Sequence, residues 1–216
     1  MAEALALPCP LCAARQVSLY LKDRRRDYWQ CAQCQLVFVP GTQHLSAAEE
    51  KAHYDFHEND PSDAGYRRFL GRLCDPMLAR LSPGAVGLDF GAGPGPTLSL
   101  MFEEAGHPMA IYDLYYAPDE SVLARNYDFV TASEVVEHLS RPGEELQRLW
   151  ALIRPGGWLG LMTKRVTGRE AFARWHYKND PTHISFFSRA TFDHLGRRWV
   201  AEPHYPSADV VLFQKP

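Results

Sequence analysis

The stretch that most constrains this chain is Val86-Gly87-Leu88-Asp89-Phe90-Gly91-Ala92-Gly93-Pro94-Gly95-Pro96. A short apolar run closes on an acid, three glycines alternate with Ala and Pro, and helical spacing follows from Thr97 to Glu104. The pattern predicts a parallel strand, a tight turn and a helix N-terminus, the ligand-binding corner of a doubly wound α/β sheet. Gly91, Gly93 and Gly95 permit positive φ and let a ligand approach the main chain closely. Pro96 suits the first helical turn, where its missing N–H loses nothing. A dinucleotide fingerprint needs G-x-G-x-x-G. Here the spacing is G-x-G-x-G followed by Pro96, which is wrong for a nicotinamide oxidoreductase. Taken alone, the loop is also compatible with a plain structural turn.

The chain has 216 residues, 46% hydrophobic and 23% charged, enough for one α/β domain with a small appendage. It has no apolar run of about 18 residues to span a membrane. Met1 to Leu7 lacks the basic start and long apolar core of a signal peptide. A net charge of −3 argues against wholesale attraction to nucleic acid or anionic lipid. These features point to a cytoplasmic protein, in which cysteines are metal ligands or free thiols before they are disulfides. Four of the five, Cys9, Cys12, Cys31 and Cys34, are spaced C-x2-C-x18-C-x2-C, a zinc-site pattern. Two knuckles would each present two thiolates to one Zn²⁺, with Lys22 to Asp27 as the turn between them, so that the whole resembles a zinc ribbon. A unit this small depends on its metal for stability. Residues 1–40 carry a charge of +2 from Lys, Arg, Asp and Glu. Zn²⁺ with four thiolates contributes −2, which leaves no basic footprint for nucleic acid. The reading favours a structural ribbon with Arg24, Arg25 and Arg26 at a solvated tip, over one that grips RNA or substrate with them.

Ser46-Ala47-Ala48-Glu49 is a capping box opening a helix, and a second helix is expected from Gly65 to Leu81 with Cys74 as an inert core thiol. His53 and His57 are expected at the surface. Met109 to Asp113 is a second apolar strand ending in an acid, 20 residues after Gly93. Parallel pairing would set the Asp113 carboxylate beside the glycine loop, where it can accept ribose hydroxyls. Tyr127 to Ser133 reads as a further strand, followed by Glu134-Val135-Val136-Glu137-His138-Leu139. A helix from Glu144 to Ile153, the turn Arg154-Pro155-Gly156-Gly157 and the strand Trp158 to Thr163 complete the series. With Asp89-x-Gly91-x-Gly93-x-Gly95, these segments resemble the class I S-adenosylmethionine-dependent methyltransferases of small-molecule type, in the right order over residues 85–163. The resemblance implies S-adenosylmethionine held by Asp89, Gly91, Ala92, Gly93, Gly95, Asp113 and Leu114, with Ala132, Ser133 and Glu134 under its methionine end. It implies a Rossmann-like, mostly parallel sheet with a closing antiparallel pair at Arg198 to Glu202 and Asp209 to Phe213, joined by a loop at Pro203 to Ser207. One departure is that only fourteen residues separate Asp113 from Asp128. Either that edge of the sheet is truncated, or Tyr115, Tyr116 and Asp119 line the adenine pocket.

The segment after the fifth strand packs aromatic and titratable residues together, and Asp180-Pro181-Thr182-His183 through Ser188 resembles a segment of a bacterial subgroup of these enzymes. Methyl transfer from a sulfonium is an in-line displacement, aided by a base when the nucleophile carries a proton. His183 is the first candidate for that base, oriented by Asp180, with His176 second. Trp175, Tyr177 and Phe186 are expected to wall the acceptor pocket. The competing reading is that Asp180, Thr182 and His183 form a hydrogen-bonded turn; His138 is likewise catalytic or a local hydrogen-bonding residue. A helix is expected from Ser188 to Leu195, ended by Gly196. The domains are then a zinc ribbon at 1–41 and a methyltransferase domain at 42–216, with leading helices at 42–84 and the core at 85–216. The expected reaction methylates a small or medium-sized organic acceptor, with nucleic acid and membrane not expected as partners and the oligomeric state open. The alternatives are an RNA or protein methyltransferase docking through the ribbon, and a non-catalytic module that keeps the fold.

Overall fold

The computed structural model describes residues 7–56 and 60–216. His57 and the N-terminal segment up to residue 6 lie outside the described residues. The chain opens on a hairpin of β1 (Val17–Lys22) and β2 (Asp27–Cys31), followed by the short β3 (Val37–Phe38). Ser46 then caps α1 (Ala47–Tyr54) with the capping box its sequence predicts, Ser46 and Glu49 satisfying each other's backbone amides. In α2 (Ala64–Leu78), Oδ1 of Asp63 accepts from the amides of Gly65 and Tyr66. The helix stops at Leu78, three residues short of the sequence expectation, and buries Leu70, Leu73, Cys74 and Met77. Burial pushes the Cys74 thiol up to about 12, which suits an inert core group.

The main sheet alternates with helices: β4 (Gly87–Phe90), α3 (Thr97–Glu104), β5 (Met109–Tyr112), β6 (Tyr127–Ser133), α4 (Pro142–Leu152) and β7 (Ile153–Met162). There follow α5 (Arg169–Ala173), β8 (Ser185–Phe186), α6 (Arg189–Trp199), β9 (Pro203–His204) and β10 (Val210–Gln214). The six strands stand in the order β5-β4-β6-β7-β10-β9, the first four parallel and the last two antiparallel. β4, at the centre of the parallel part, is buried at every position, as a strand covered on both faces must be. Between Asp113 and β6 the described residues form no further strand, only a 3₁₀ turn at Glu120–Ala124, so β5 is the edge. The shortened interval therefore truncates the sheet.

The C-terminal expectations need one correction. Arg198 belongs to α6, which runs through Gly196 and ends at Val200, a residue in the left-handed region at φ 54°. Pro203 and His204, expected in a loop, pair with Phe213 and Leu212 instead. Gly196 is a contact residue inside the helix and does not terminate it: a Cβ there would meet the Ala201 carbonyl at 2.6 Å, where the chain folds back to enter β9.

The ribbon is joined to the rest by main-chain pairing. β3 pairs antiparallel with β8, so the ribbon sheet has the order β1-β2-β3-β8 and takes its last strand from the far end of the chain. An apolar cluster runs without a break from Cys9, Leu11, Cys31 and Leu36 into Leu146, Leu149, Phe187 and Phe192. The first knuckle rests on the start of α4, where a Cβ on Gly143 would meet the Leu11 carbonyl at 2.3 Å.

Candidate functional site

A cavity of about 790 Å³ opens at the carboxyl ends of β4, β5 and β6, roofed by α1 and α2 through Glu50, Tyr54, Tyr66 and Phe69. Its floor is the glycine turn. Gly91 and Gly93 take φ of 76° and 66°, conformations that L side chains rarely adopt. The amides of Gly91 and Ala92 donate to the Tyr112 carbonyl at the end of the neighbouring strand, at 2.7 and 3.2 Å. Asp113 follows that strand and points at the turn: its Oδ2 accepts from the Gly93 amide at 2.9 Å, and its Oδ1 from the amides of Tyr115 and Tyr116. Tyr115 and Tyr116 both line the cavity, and their hydroxyls donate to Glu50 and Asp55 on the α1 side. Asp119 instead caps the 3₁₀ turn by accepting from the Ser121 amide.

Of the residues expected at the donor, Asp89, Gly91, Ala92, Gly93, Gly95, Asp113, Leu114, Ser133 and Glu134 all line this cavity. Ala132 does not; it is fully buried in β6. Asp89 is 3% exposed, and its carboxylate accepts from the hydroxyls of Thr131 and Ser99 at 2.9 and 3.2 Å. Burial pushes it up to about 7 despite those bonds.

The opposite wall comes from the segment after β7. Asp180 and His183 line the cavity, and so does His138. The Nδ1 of His183 lies 2.7 Å from the Tyr177 carbonyl. A carbonyl only accepts, so Nδ1 carries the hydrogen and Nε2 keeps its lone pair, 3.8 Å from Asp180 Oδ2. The ring is buried against Tyr177, and that burial lowers its pKa, which keeps it neutral. Burial also acts on Asp180, but the hydroxyl and amide of Thr182 donate to its carboxylate and leave it below the ordinary carboxylate range.

The other expected acceptor-side residues lie elsewhere. His176 is exposed outside the cavity and within 3.4 Å of Lys164. Trp175 and Phe186 pack in the apolar cluster between ribbon and core with Tyr28 and Phe172, because β8 is drawn into the ribbon sheet. Tyr177 is also behind the wall. Its hydroxyl donates to a Glu137 oxygen, lies 3.2 Å from Glu134 and meets Thr163 Oγ1 at 3.3 Å. Glu137 is fully buried. Burial, and then the neighbouring Glu134, push it up to about 8, while burial pushes Glu134 up to about 7.

The arginine turn holds what sequence reasoning missed. Arg24 and Arg25 are exposed as expected, but Arg26 is 9% exposed. Its guanidinium donates to the carbonyls of Lys178, Asp180, Pro181 and His183 at 2.5 to 3.0 Å. Beside it, Lys178 Nζ pairs with Asp23 at 2.5 Å. The ribbon hairpin thus fixes the backbone of the loop that carries Asp180 and His183. No local signal separates Arg26 from its two neighbours, since its partners lie more than 150 residues away.

The four ribbon sulfurs all lie within 4.8 Å of one another. A hydrogen bond from Cys34 lowers Cys9 to about 6, while burial raises Cys12 to about 11. Four thiolates at this spacing match the donor set and tetrahedral size of a structural zinc site.

Comparison with known proteins agrees with this geometry. A family model described as a methyltransferase domain matches residues 63–198. The chain belongs to that family, and its fold is that of the class I S-adenosylmethionine-dependent methyltransferases. It is 24% identical over 135 residues to the ubiquinone biosynthesis O-methyltransferase of Aeromonas salmonicida (strain A449). That match takes in 58% of this chain and 57% of the relative, so the chain spans little more than half of that protein's length. The fold is similar to that of the Burkholderia thailandensis 1,6-didemethyltoxoflavin-N1-methyltransferase, solved with S-adenosylhomocysteine (TM-score 0.52, 19% identity, 86% of this chain and 98% of that one). It is also similar to that of the magnesium protoporphyrin IX methyltransferase of Synechocystis PCC 6803 with bound S-adenosylmethionine (TM-score 0.51, 14% identity, 80% and 93% covered). No described helix is long and apolar enough to cross a membrane.

Proposed function

We propose that the protein transfers a methyl group from S-adenosylmethionine to a small organic acceptor, and that a zinc-bound ribbon holds the acceptor side of the site in place. The observation that carries this reading is the convergence of Asp113 on the glycine turn, with the Gly93 amide 2.9 Å from its carboxylate. The arrangement offers positive-φ main chain to the methionine half of the donor and an acid to its ribose. Ser133 and Glu134 then flank the sulfonium, and the acceptor occupies the space between the aromatic roof and His183. The roof supplies ring faces that favour a cationic sulfonium over its neutral product. The cavity is the size of a small-molecule site. Arg26 donates to loop carbonyls and Arg25 to the carbonyl of Asn179 at 3.1 Å, so two of the three tip arginines are turned to the protein itself, which supports a structural role for the ribbon.

His183 is the residue on which acceptor-side chemistry turns, since it presents an unprotonated Nε2 at the cavity wall. Calorimetry with S-adenosylmethionine and release of labelled methyl groups to a panel of hydroxylated and amine acceptors test the proposal together. Asp113→Ala is expected to weaken donor binding by about tenfold or more, the loss of a buried charge-assisted contact. His183→Ala is expected to keep donor binding and lower turnover by about 10²-fold. Wild-type protein that fails to bind the donor refutes the proposal.

A further inference from the structure

We propose that the acceptor is an elongated molecule with an anionic tail, and that this tail lies in a second groove, between the ribbon and α6. The groove, of about 1120 Å³, runs from the site cavity between the first knuckle, at Pro8 and Pro10, and the helices α4 and α6. His44, Ser140, Arg141 and Ile184 line both the groove and the site cavity, so the two spaces meet at these four residues. Ile184 follows His183 in the chain, which sets the inner end of the groove beside the wall proposed to face the reacting atom.

The walls are held in place by the main chain. The Gly143 amide donates to the Pro10 carbonyl at 3.2 Å, and the Val39 amide to the Ile184 carbonyl at 2.9 Å. The Ser185 hydroxyl donates to the Leu139 carbonyl at 2.9 Å. A groove fixed in this way needs little ordering when a ligand enters. Its middle stretch is apolar, with Pro10, Val39 and Ile184 among its lining.

The outer end is cationic. Here α6 presents His194, Arg197 and Arg198, three and four residues apart and therefore on one face. Both arginines are exposed, and the ion pairs among the described residues include neither of them. Among the described residues lining the groove the one acid is Glu144, and Arg141 already pairs with it at 2.9 Å. Burial, and after it the charges of Arg197 and Arg198, lower the pKa of His194, so their positive field reaches the ring with no acid to offset it. The ribbon does not supply that acid, since its own Lys and Arg excess matches the −2 of a zinc ion with four thiolates. Adjacent guanidinium forks receive a phosphate or a carboxylate. An apolar passage from a reactive cavity to a pair of guanidinium groups fits a molecule with its nucleophile at one end and its anion at the other. This inference rests on the methyltransferase reading and names the substrate class of that same site.

The test titrates octyl phosphate, octanoate and octanol into the zinc-loaded full chain by calorimetry. One equivalent of an octyl anion is expected to bind, at least about tenfold more tightly than octanol, with the tighter of the two anions identifying the tail as phosphate or carboxylate. The double variant Arg197→Gln, Arg198→Gln is expected to lose at least about tenfold in anion affinity, the loss of charge-assisted hydrogen bonds, while its S-adenosylmethionine binding stays as proof of fold. Ser140→Trp, at an exposed position where groove and cavity meet, is expected to weaken the octyl anions as well and to leave S-adenosylmethionine bound. Absence of anion binding, octanol binding as tightly as the anions, or an unchanged affinity in the arginine variant overturns the groove. Unchanged affinity in Ser140→Trp overturns its continuity with the site, and with it the assignment of the tail to the acceptor. Wild-type protein that binds an octyl anion in the expected pattern but not S-adenosylmethionine leaves the groove standing and overturns the donor assignment instead.

Discussion

The two halves of the cavity are built in opposite ways. The half proposed to hold the donor is local: a strand end, its own turn, and the acid of the adjacent strand, with Gly93 and Asp113 20 residues apart in sequence and 2.9 Å apart in space. The half proposed to face the acceptor is assembled at long range. Asp180 and His183 sit on a segment whose carbonyls are gathered by Arg26, more than 150 residues earlier, and whose exit strand β8 completes the ribbon sheet. The lesson is that a motif can encode the glycine corner by itself, whereas the wall carrying Asp180 and His183 depends on an appended module for its shape. A domain that keeps its sheet and changes its appendage would keep its donor and change its substrate.

The largest expected effect breaks the halves apart. Structural zinc contributes on the order of 10 kcal/mol to folding in small metal domains. Cys34→Ser, or exhaustive chelation, is therefore expected to release the hairpin and with it the Arg26 clamp. Hydrogen exchange should rise across residues 178–184, with the amides of β4 and β5 still protected and S-adenosylmethionine still bound. Equal loosening of both regions would show that the core does not outlast the ribbon.

A smaller effect isolates the clamp itself. Arg26→Met keeps much of the side-chain volume but leaves four carbonyls without that donor. Loss of one partner from a buried charged network typically costs about 3–5 kcal/mol. Urea unfolding should register that loss, and acceptor turnover should fall more than donor affinity. Arg24→Ala, two residues away and exposed, is expected to stay within about 0.5 kcal/mol of the parent. Similar values for the two variants would remove the asymmetry on which the comparison stands.

This contrast also explains what the sequence made legible. The individual strands of the parallel part, the glycine turn, Asp113, the Ser46 capping box and the cysteine quartet each announce themselves within a few residues, because the forces involved act between near neighbours. The fourteen-residue interval left two readings of the sheet edge open, and it took the structure to decide between them, with Tyr115 and Tyr116 nonetheless reaching the cavity. Phe186 and Trp175 carried the right chemistry for a pocket wall, yet a two-residue pairing between β3 and β8 turns Phe186 into core, with Trp175 packed against the same cluster. Strands that short carry no periodicity to read. Gly196 misled for a related reason, since its missing side chain serves a carbonyl that approaches from five residues further along.

The gentlest probe compares acids within the donor half. Asp113 is held by three backbone amides, whereas Asp89, one strand inward, is enclosed and held by two hydroxyls. Burial, with the nearby Asp113 adding to it, raises Asp89 to about 7 in the folded protein from an ordinary value of 3.8. The folded state then binds the Asp89 proton more tightly than the unfolded chain, so between these two values stability falls as pH rises. From pH 5 to pH 7 this single group should lower unfolding free energy by about 2–3 kcal/mol, at roughly 1.4 kcal/mol per pH unit for one proton. Asp89→Asn cannot titrate while still accepting from Thr131, so its stability should fall less steeply over the same interval in urea titrations at stepped pH. Parallel pH profiles for the two proteins would mean that Asp89 is already ionised at pH 5, and that its two hydroxyl donors outweigh its burial.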